Sequence, residues 1–412
     1  MHRRLTLAWV LGSVACAPAA PAGGAQQSRP NPVLPGIDVL LRDSLHLVRG
    51  RKVGLVTNQT GVDARGVSDV ERLRAAGVQL VALFSPEHGF RGAAEAGAAV
   101  ASSLDSATGL PIYSLYGRFS APTPGMLQGV DLVLVDLQDA GARYYTYIGT
   151  TIDVMKAAAH ADIPVVVLDR PDPIGGSVQG NVLDTAFVSS VGRLAVPMRH
   201  GLTLGELARL ARADLRLTTR LSVVPVSGWK RSQAWDETGL PFVPPSPNLK
   251  SVEALFHYPG LCLFEGTALS VGRGTDAPFE QIGAAWLDTA AVLARVGQVS
   301  GVRLQAVRFT PVRAGDGKFS DTSIVGIRLQ VTDRRAYDPV QTAVRLLLAV
   351  QAIHPDRIGW IPAHCDRLAG GRSLREAIIA GRPLGEIVKG WGPAIQAFEA
   401  RRERYLLYSR SH

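Results

Sequence analysis

The sequence is poor in cysteine and, after its first 25 residues, has no long apolar run. Three of the 412 residues are cysteine, and only Cys262 and Cys365 lie beyond residue 25. Two thiols are too few for a disulfide framework or a four-thiolate metal site, although a single bridge between them stays open. No later apolar stretch has the length of a transmembrane helix. These shortages exclude a disulfide-stapled scaffold and an integral membrane protein.

Several ligand-binding motifs are also missing. The turn over residues 57–62, after the first predicted strand, lacks the glycine fingerprint of dinucleotide-binding proteins. The glycine-rich segment 264–275 lacks the lysine of a phosphate loop. The histidines do not form a spacing such as His-Glu-x-x-His, which argues against a metal-dependent hydrolase that uses His88, Asp136, Asp139 or His257. Zinc-finger and basic-aromatic patterns are missing too. The sequence therefore predicts no cofactor, no metal and no nucleic-acid partner.

The first 25 residues have the pattern of a secretory signal peptide. Two arginines precede an apolar run over residues 5–17, and small, turn-prone residues follow as far as Ala25. We therefore expect a signal peptide over residues 1–25 and a periplasmic or secreted protein. Cys16 stands in an imperfect copy of a bacterial lipoprotein box, so a lipid anchor at Cys16 and plain cleavage near Ala25 are both open.

The formal net charge of +9 is spread along the chain and does not gather into blocks. Spread charge is usual for a solvated surface, and it also suits an anionic partner such as a cell-wall polymer. Charge alone does not decide between these interpretations.

Short apolar runs rich in valine and leucine alternate with helical stretches in the first half of the chain. The predicted strands are 52–57, 79–84, 131–137, 164–168 and 221–226, and the predicted helices between them are 68–77, 146–161 and 203–215. Runs that are apolar on both faces are typical of buried parallel strands, and strands that alternate with helices predict a doubly wound sheet. We expect an α/β, Rossmann-like domain over residues 33–252.

The chain changes character after a proline-rich segment at 241–248, which is typical of a rigid connector. Beyond it lie two alternating strand patterns and two helical patterns, at 303–312, 323–331, 340–353 and 384–405. They predict a smaller α+β domain over residues 253–412. We expect the active site in the cleft between the two domains.

Polar side chains follow each predicted strand of the first domain. They are Asn58, Glu87, Gln138, Asp139, Asp169, Arg170 and Trp229. A lone residue of this kind is commonly a helix cap or a turn former. The carboxyl ends of parallel strands, however, meet at one edge of the sheet, where open α/β sheets bind their ligands. Several polar residues along this edge favour a binding cleft.

Glu87 is the strongest candidate for catalysis. It lies between Pro86 and Gly89, so a tight turn holds its side chain. Breaking a glycosidic bond needs a proton donor at the leaving oxygen, together with a second carboxylate or a neighbouring group on the sugar. Glu87 suits the donor role if Arg91 points elsewhere. The other interpretation is that Glu87 caps the turn or pairs with Arg91.

The segment 136–147 combines groups that bind sugars. Its tyrosines, among them Tyr144 and Tyr147, suit the apolar face of a pyranose ring, although we expect at least one of them in the core. Carboxylates and amides suit the sugar hydroxyls. We interpret Asp139 as the second catalytic carboxylate, because Asp136 lies further inside the strand.

Six motifs follow one another along the chain. They are Ser85-Pro86-Glu87-His88-Gly89-Phe90-Arg91-Gly92, the segment 139–147, Asp169-Arg170-Pro171, Arg199-His200-Gly201-Leu202-Thr203, Pro245-Ser246-Pro247-Asn248, and the glycine-rich segment from Glu265 to Thr275. Together they resemble the signature of the NamZ peptidoglycan exo-β-N-acetylmuramidases, over nearly the whole chain beyond the leader. The chain departs from that pattern at Asp172 and Gly175, where asparagines are expected.

The resemblance implies a secreted or periplasmic glycoside hydrolase that releases N-acetylmuramic acid from the non-reducing ends of peptidoglycan fragments, with Glu87 as the catalytic glutamate. The lactyl carboxylate of this sugar calls for arginines that bind it through paired hydrogen bonds. Its 2-acetamido group is an alternative nucleophile to a second carboxylate. The candidate substrate contacts are His88, Arg91, Asn58, Gln138, Arg143, Tyr144, Tyr147, Asp169, Arg170, Arg199, His200, Asn248, Glu265 and Arg273.

Aromatic residues and arginines also serve plain binding. A non-catalytic peptidoglycan- or sugar-binding protein of the periplasm is therefore the alternative function. A Glu87→Gln variant separates the two, because only the enzyme would lose turnover while it keeps binding.

Overall fold

A seven-stranded sheet forms the first part of the computed structural model, which describes residues 32–409 together with His2 and Ala8. The strands of this part are β1 (Lys52–Thr57), β2 (Gln79–Ser85), β3 (Ser103–Leu104), β4 (Pro111–Ser114), β5 (Leu132–Asp136), β6 (Val165–Leu168), β7 (Gln179–Val182), β8 (Pro197–Arg199) and β9 (Leu221–Val224). β7 and β8 pair separately. The others stand in the order β3-β4-β2-β1-β5-β6-β9, and all except β3 run parallel.

This order is that of Rossmann-type sheets. The chain builds outward from β1 through β2 to β4, then returns to β5 beside β1 and continues to β6 and β9. The reversal between β1 and β5 leaves a crevice at the carboxyl ends of the strands, where folds of this kind bind ligands. The predicted doubly wound sheet is confirmed.

Helices cover both faces of the sheet. They are α1 (Gly36–Asp43), α2 (Asp69–Ala75), α3 (Tyr147–His160) and α4 (Leu204–Asp214). One buried cluster contains Leu55 of β1 with Ile37 and Leu73, and the other contains Val56 with Ile152 of α3. Neighbouring residues of β1 therefore point into different cores, which explains why the strand is apolar on both faces.

Side-chain caps begin two of the three predicted helices of the first part, α2 and α4. The hydroxyl of Ser68 accepts a hydrogen bond from the Val70 N–H at the start of α2. Thr203 and Glu206 form a reciprocal capping box at the start of α4. Because such caps satisfy backbone N–H groups that have no partner inside the helix, they set the helix starts close to where the sequence predicts them.

The second part of the chain combines helices with a small antiparallel sheet. Its strands are β10 (Gln281–Ala284), β11 (Val302–Phe309) and β12 (Ile324–Val331), in the order β10-β12-β11. Its helices are α5 (Val252–Leu261), α6 (Thr289–Val296), α7 (Pro339–Ile353), α8 (Pro362–Ala369), α9 (Ser373–Ile379) and α10 (Leu384–Arg402). The predicted smaller α+β domain is confirmed as a fold class, while β10, α5, α6, α8 and α9 are additions.

The two parts share one buried core. A single apolar cluster contains Phe84 and Tyr147 from the first part and Phe264 and Leu346 from the second. The predicted boundary near residue 253 falls in the first turn of α5. Residues from Pro32 onward form one compact unit, so contacts between the two parts can position a site.

The predicted signal peptide over residues 1–25, including Cys16, lies outside the described residues except for His2 and Ala8. Within the described part, no helix combines the length and the apolar character needed to cross a bilayer. Cys262 and Cys365 are buried free thiols.

The end of the chain is tied to the sheet through a buried carboxyl. Asp169, directly after β6, accepts hydrogen bonds from the Thr203 hydroxyl (2.6 Å), the Gly205 N–H (2.8 Å) and the Tyr408 hydroxyl (2.5 Å). The Tyr408 hydroxyl also accepts from the Val226 N–H (2.9 Å). Burial raises the pKa of Asp169 to about 6. Asp169 therefore connects β6, α4 and the chain end.

We expect Tyr408→Phe to lower the free energy of unfolding by about 1–3 kcal/mol, because it removes a donor to a buried carboxyl and leaves the Val226 N–H without a partner. Urea unfolding monitored by tryptophan fluorescence measures this. The matched control is Tyr405→Phe, whose phenol makes no hydrogen bond within residues 32–409 and should change stability little. Equal effects of the two changes would contradict this role of Tyr408.

Candidate active site

A turn after β2 positions Glu87. The Gly89 N–H donates to the Pro86 carbonyl (3.0 Å), so residues 86–89 close a tight turn. His88, the third residue of the turn, has a φ of 70°, a conformation uncommon for a residue with a side chain. Its Nδ1 lies 2.7 Å from the Ala94 carbonyl, which can only accept, so Nδ1 carries the proton and Nε2 is an acceptor in the neutral ring.

Glu87 is 7% exposed, and neutral donors hold its carboxyl group. Its Oε1 accepts from the Gly97 N–H (2.8 Å), and its Oε2 accepts from the Thr146 hydroxyl (2.7 Å). Within residues 32–409 no lysine or arginine forms an ion pair with Glu87. The alternative that Glu87 pairs with Arg91 therefore does not hold: Arg91 is exposed and does not line the cavity beside Glu87.

Strand register brings Tyr116 next to Glu87. Ser85 of β2 pairs with Ser114 of β4 in a parallel ladder, so the residues two positions further on leave the sheet side by side. Burial, together with the negative charge of Glu87 and a hydrogen bond to it, raises the pKa of Tyr116 to about 12. Tyr116 therefore stays a neutral phenol beside the carboxyl group.

The start of α3 completes the surroundings of Glu87. The Tyr147 hydroxyl accepts from the Asn58 Nδ2 (2.7 Å) and donates to the Pro245 carbonyl (3.0 Å). The Tyr145 hydroxyl donates to the same carbonyl (2.6 Å). The proline-rich segment is thus held against the strand ends and forms part of the site, beyond its predicted role as a connector.

Glu87 faces a cavity of about 150 Å³ between the two parts of the chain. The first part supplies Glu87, His88, Tyr116, Tyr144, Tyr145 and Thr146 among its walls. The second part supplies Tyr258, Cys262, Glu265, Arg273, Phe279 and His364. Tyr258 is packed edge-on against Tyr144 and Phe279, with ring centroids 5.9 and 4.9 Å apart. The predicted cleft is therefore present, and its walls are rich in aromatic rings.

A second acidic residue, Glu265, lies on the far wall of this cavity. Its Oε1 accepts from Arg273 (2.7 Å), and the Cys262 thiol lies 3.5 Å from its Oε2. Burial raises the pKa of the Cys262 thiol, and burial lowers the pKa of His364 nearby. Among the described residues, the cavity thus has an unpaired carboxyl at Glu87 and an ion-paired one at Glu265.

Asp139, the predicted second carboxylate, does not line this cavity. It is 2% exposed, and its Oδ2 accepts from the Gly141 N–H (2.7 Å) and lies 3.3 Å from His200 Nε2. Asp172 belongs to the same buried cluster. Burial raises its pKa to about 7; His200 acts to lower this pKa, and the negative charge of Asp139 acts to raise it. This cluster supports the loop after β6 and has no direct access to the cavity.

Four other residues predicted to contact the substrate form hydrogen bonds within the protein instead. The Arg143 guanidinium donates to the carbonyls of Asn181 (2.7 Å), Val196 (3.1 Å) and Leu368 (2.9 Å). Arg170 pairs with the buried Asp136 at 2.5 and 2.9 Å. Asp169 caps α4, and Gln138 donates to the carbonyls of Asp139 and Pro171. None of these side chains lines the cavity beside Glu87.

Two more predicted contacts lie in other depressions. Asn248 lines one with Lys250 and Arg313 and donates to Glu95 Oε2 (3.4 Å). Arg199 lines a larger cavity described below. Of the predicted residues, the structure brings Glu87, His88, Tyr144, Glu265 and Arg273 to one cavity, with Asn58 and Tyr147 behind them.

Sequence reasoning missed several residues of this cavity. Tyr258, Phe279 and His364 come from the second part of the chain, where only tertiary packing places them. Tyr116 follows β4, a strand of four residues that carries little pattern. Thr146 could have been predicted as a site residue, because it lies in the tyrosine-rich segment at the predicted start of α3. Within residues 32–409 no three acidic, histidine or cysteine side chains are placed to hold a metal ion.

Comparison with known proteins shows the family to which this chain belongs. Residues 53–253 match the family model described as the N-terminal part of the exo-β-N-acetylmuramidase NamZ, and residues 256–408 match the C-terminal part. The peptidoglycan β-N-acetylmuramidase NamZ of Bacillus subtilis (strain 168) is 39% identical over 409 residues, 98% of each chain. Two crystal structures of DUF1343 family proteins from Bacteroides fragilis NCTC 9343 each cover 92% of this chain and 99% of their own. They have TM-scores of 0.85 and 0.75 at 32% and 29% identity.

These matches define the class: the protein is a glycoside hydrolase with a Rossmann-like part and a smaller α+β part. The chain belongs to the NamZ family of exo-β-N-acetylmuramidases. The family resemblance drawn from the motifs is thereby confirmed.

We expect Asp172→Asn to flatten the pH dependence of stability. Because the folded-state pKa of Asp172 is raised from 3.8 to about 7, its protonation stabilises the fold at low pH, and this contribution is lost as the pH rises from 3.8 to about 7. The amide variant cannot lose a proton, so its free energy of unfolding should fall less over that range. Guanidinium chloride unfolding at the two ends of the range measures the difference.

The control for this measurement is Asp356→Asn, which changes an exposed carboxyl in the same way. It should keep the pH dependence of the unchanged protein. If Asp172→Asn also keeps it, the carboxyl of Asp172 is not held neutral by its surroundings.

Proposed function

We propose that this protein is an exo-β-N-acetylmuramidase that releases N-acetylmuramic acid from the non-reducing ends of peptidoglycan fragments, with Glu87 as the general acid. One observation carries the proposal. The Glu87 carboxyl is buried beside an aromatic-lined cavity of about 150 Å³ and is held by neutral donors without an ion pair. A proton donor at a glycosidic oxygen needs such surroundings, because a nearby cation would favour the charged carboxylate.

The two carboxyl oxygens of Glu87 have different hydrogen-bond partners. Oε1 receives the Gly97 N–H, a group that can only donate, so Oε1 acts as an acceptor. The partner of Oε2 is the Thr146 hydroxyl, which can donate or accept after a rotation of its O–H bond. In this proposal Oε2 is the oxygen that delivers the proton to the leaving group.

The size of the cavity supports release of a single terminal sugar. Ligand pockets commonly measure about 300–1,000 Å³, whereas this cavity measures about 150 Å³. Tyr258 of α5 lines one side of it, and Glu87, Tyr116 and Thr146 line the side of the strand ends. Tyr258, which is half-buried and packed on the buried Tyr144, offers aromatic surface for the apolar face of one ring.

The stabilising group opposite Glu87 comes from the substrate in this proposal. Asp139 does not line the cavity, and Glu265 is ion-paired with Arg273, which weakens it as a nucleophile. The 2-acetamido group of the muramic acid is the remaining nucleophile, an established alternative to a second carboxylate. Arg273 is our candidate for the lactyl carboxylate, since it lines the cavity beside its ion-pair partner Glu265.

The signal-peptide pattern supports the same function. A periplasmic or secreted location, with or without a lipid anchor at Cys16, gives the protein access to cell-wall fragments. A non-catalytic binding protein is less well supported, since the Bacillus subtilis relative is named for a hydrolytic activity.

We expect Glu87→Gln to lower kcat by about 10²–10⁴-fold with little change in KM, because the amide keeps the shape of the side chain but cannot donate an acidic proton. Release of N-acetylmuramic acid from a muramic-acid-terminated disaccharide, followed by NMR, measures the rate and the anomer formed first. The control is Glu71→Gln on the exposed face of α2. Undiminished turnover by Glu87→Gln would remove Glu87 from the mechanism.

We expect Asp139→Asn to reduce kcat by less than about tenfold, well below the loss from removing an acid–base group. The reason is its position in the buried cluster with His200, away from the cavity. The thermal midpoint of the variant should fall instead. A loss of kcat as large as that of Glu87→Gln, in a variant of unchanged stability, would restore Asp139 as the second catalytic carboxylate.

A further inference from the structure

A second cavity, of about 370 Å³, lies on the other side of α5 from Glu87. Phe256 of α5 lines it, whereas Tyr258 lines the cavity beside Glu87. Two residues along an α-helix are about 200° apart around its axis, so these side chains leave opposite faces of the helix. The second cavity is therefore separate from the proposed catalytic site.

Arginines dominate the charge of this second cavity. Its lining includes five of them, Arg199, Arg231, Arg334, Arg335 and Arg402, against one acidic residue, Glu237. Three of the arginines are paired within their own protein: Arg231 with the buried Glu206, Arg334 with Asp236 at 2.6 Å, and Arg402 with Glu399 at 3.7 Å. Arg199 and Arg335 form no ion pair within residues 32–409.

Arg199 is the arginine that most needs a further partner. It is 2% exposed, and its guanidinium donates to Gln179 Oε1 (2.9 Å) and to the Ile174 carbonyl, which are both neutral acceptors. Its Nε, like those of Arg231 and Arg402, is buried and has no hydrogen-bond acceptor within residues 32–409, but unlike them Arg199 has no ion-pair partner there. Asp172 and Asp338 act on it electrostatically but lie beyond ion-pair distance. A buried cation with an unused donor is unfavourable unless an anion approaches it.

Neighbouring groups hold the arginines in position. The guanidinium groups of Arg199 and Arg334 lie 5.6 and 4.8 Å from the centroid of the Phe256 ring, as in cation–π pairs. Arg335 is exposed at the edge of the cavity and forms no ion pair within the described part of the chain. The cavity thus presents a fixed buried guanidinium and a second one at its entrance.

We propose that this arginine-lined cavity binds a small ligand that carries oxyanion groups, carboxylate or phosphate. Planar guanidinium groups suit both, through paired charge-assisted hydrogen bonds. The volume of about 370 Å³ exceeds that of one inorganic ion and suits an organic anion with more than one charged group. This proposal does not depend on the muramidase activity, since the two cavities are separate.

Isothermal titration calorimetry at low ionic strength tests the proposal with three probes. Inorganic phosphate represents phosphate ligands, citrate represents free polycarboxylates, and the dipeptide L-Ala-D-Glu represents carboxylates borne by cell-wall peptides. We expect at least one probe to bind with one site per chain and to weaken as salt is added. The probe that binds tightest identifies the source of the oxyanion.

Matched variants locate the binding. Arg335→Glu should weaken the bound probe by about tenfold or more, whereas Arg303→Glu, the same change on the exposed strand β11, should leave its affinity unchanged. Arg199→Met, if its thermal midpoint shows that it folds, should abolish binding. Glu87→Gln should keep it.

Three results would overturn the proposal. They are no binding of any probe at low salt, binding that Arg335→Glu and Arg303→Glu weaken equally, and binding that persists in Arg335→Glu but disappears in Arg273→Gln. The last result would assign the anion to the cavity beside Glu87.

Discussion

A buried carboxyl group without a cation is the constraint on which the proposed site depends. The Glu87 side chain is held by one backbone N–H and one hydroxyl, and no arginine or lysine within residues 32–409 forms an ion pair with it. An ion pair would favour the charged form of a carboxyl and oppose proton donation. The neighbouring elements therefore supply hydroxyl groups: Thr146 from the start of α3, Tyr116 from the end of β4.

The arginines of this protein divide into those whose hydrogen bonds hold the structure together and those that line a cavity. Arg143 donates to backbone carbonyls, one of them in the second part of the chain, and so connects the two parts. Arg170 donates to the buried Asp136 and so connects two neighbouring strand ends. Arg273 and Arg199 each face a cavity. Few of the arginines in the motif segments can therefore reach a substrate. The others donate to buried backbone carbonyls or carboxylates, which need hydrogen-bond donors in the folded protein.

The fold was largely predictable. Strands β1, β2, β5 and β6 are largely buried on both faces, and their apolar runs distinguish them from the amphipathic helices between them. The short strands β3 and β4 were missed, because β3 has only two residues and β4 (Pro111–Ser114) begins with proline and has no unbroken apolar run. The site was predictable where it follows a strand end, as Glu87 does, and at motifs such as Glu265 and Arg273.

The sequence by itself determined the alternation of strands and helices, the family of the chain, and the turn that presents Glu87. These depend on residues that are neighbours along the chain. Only the tertiary structure decided that Asp139 belongs to a buried cluster with His200 and not to the cavity, and that Tyr258 and His364 complete its far wall. Strand register and helix packing bring together residues more than 100 positions apart, as with Glu87 and Tyr258, and no local pattern encodes such distances.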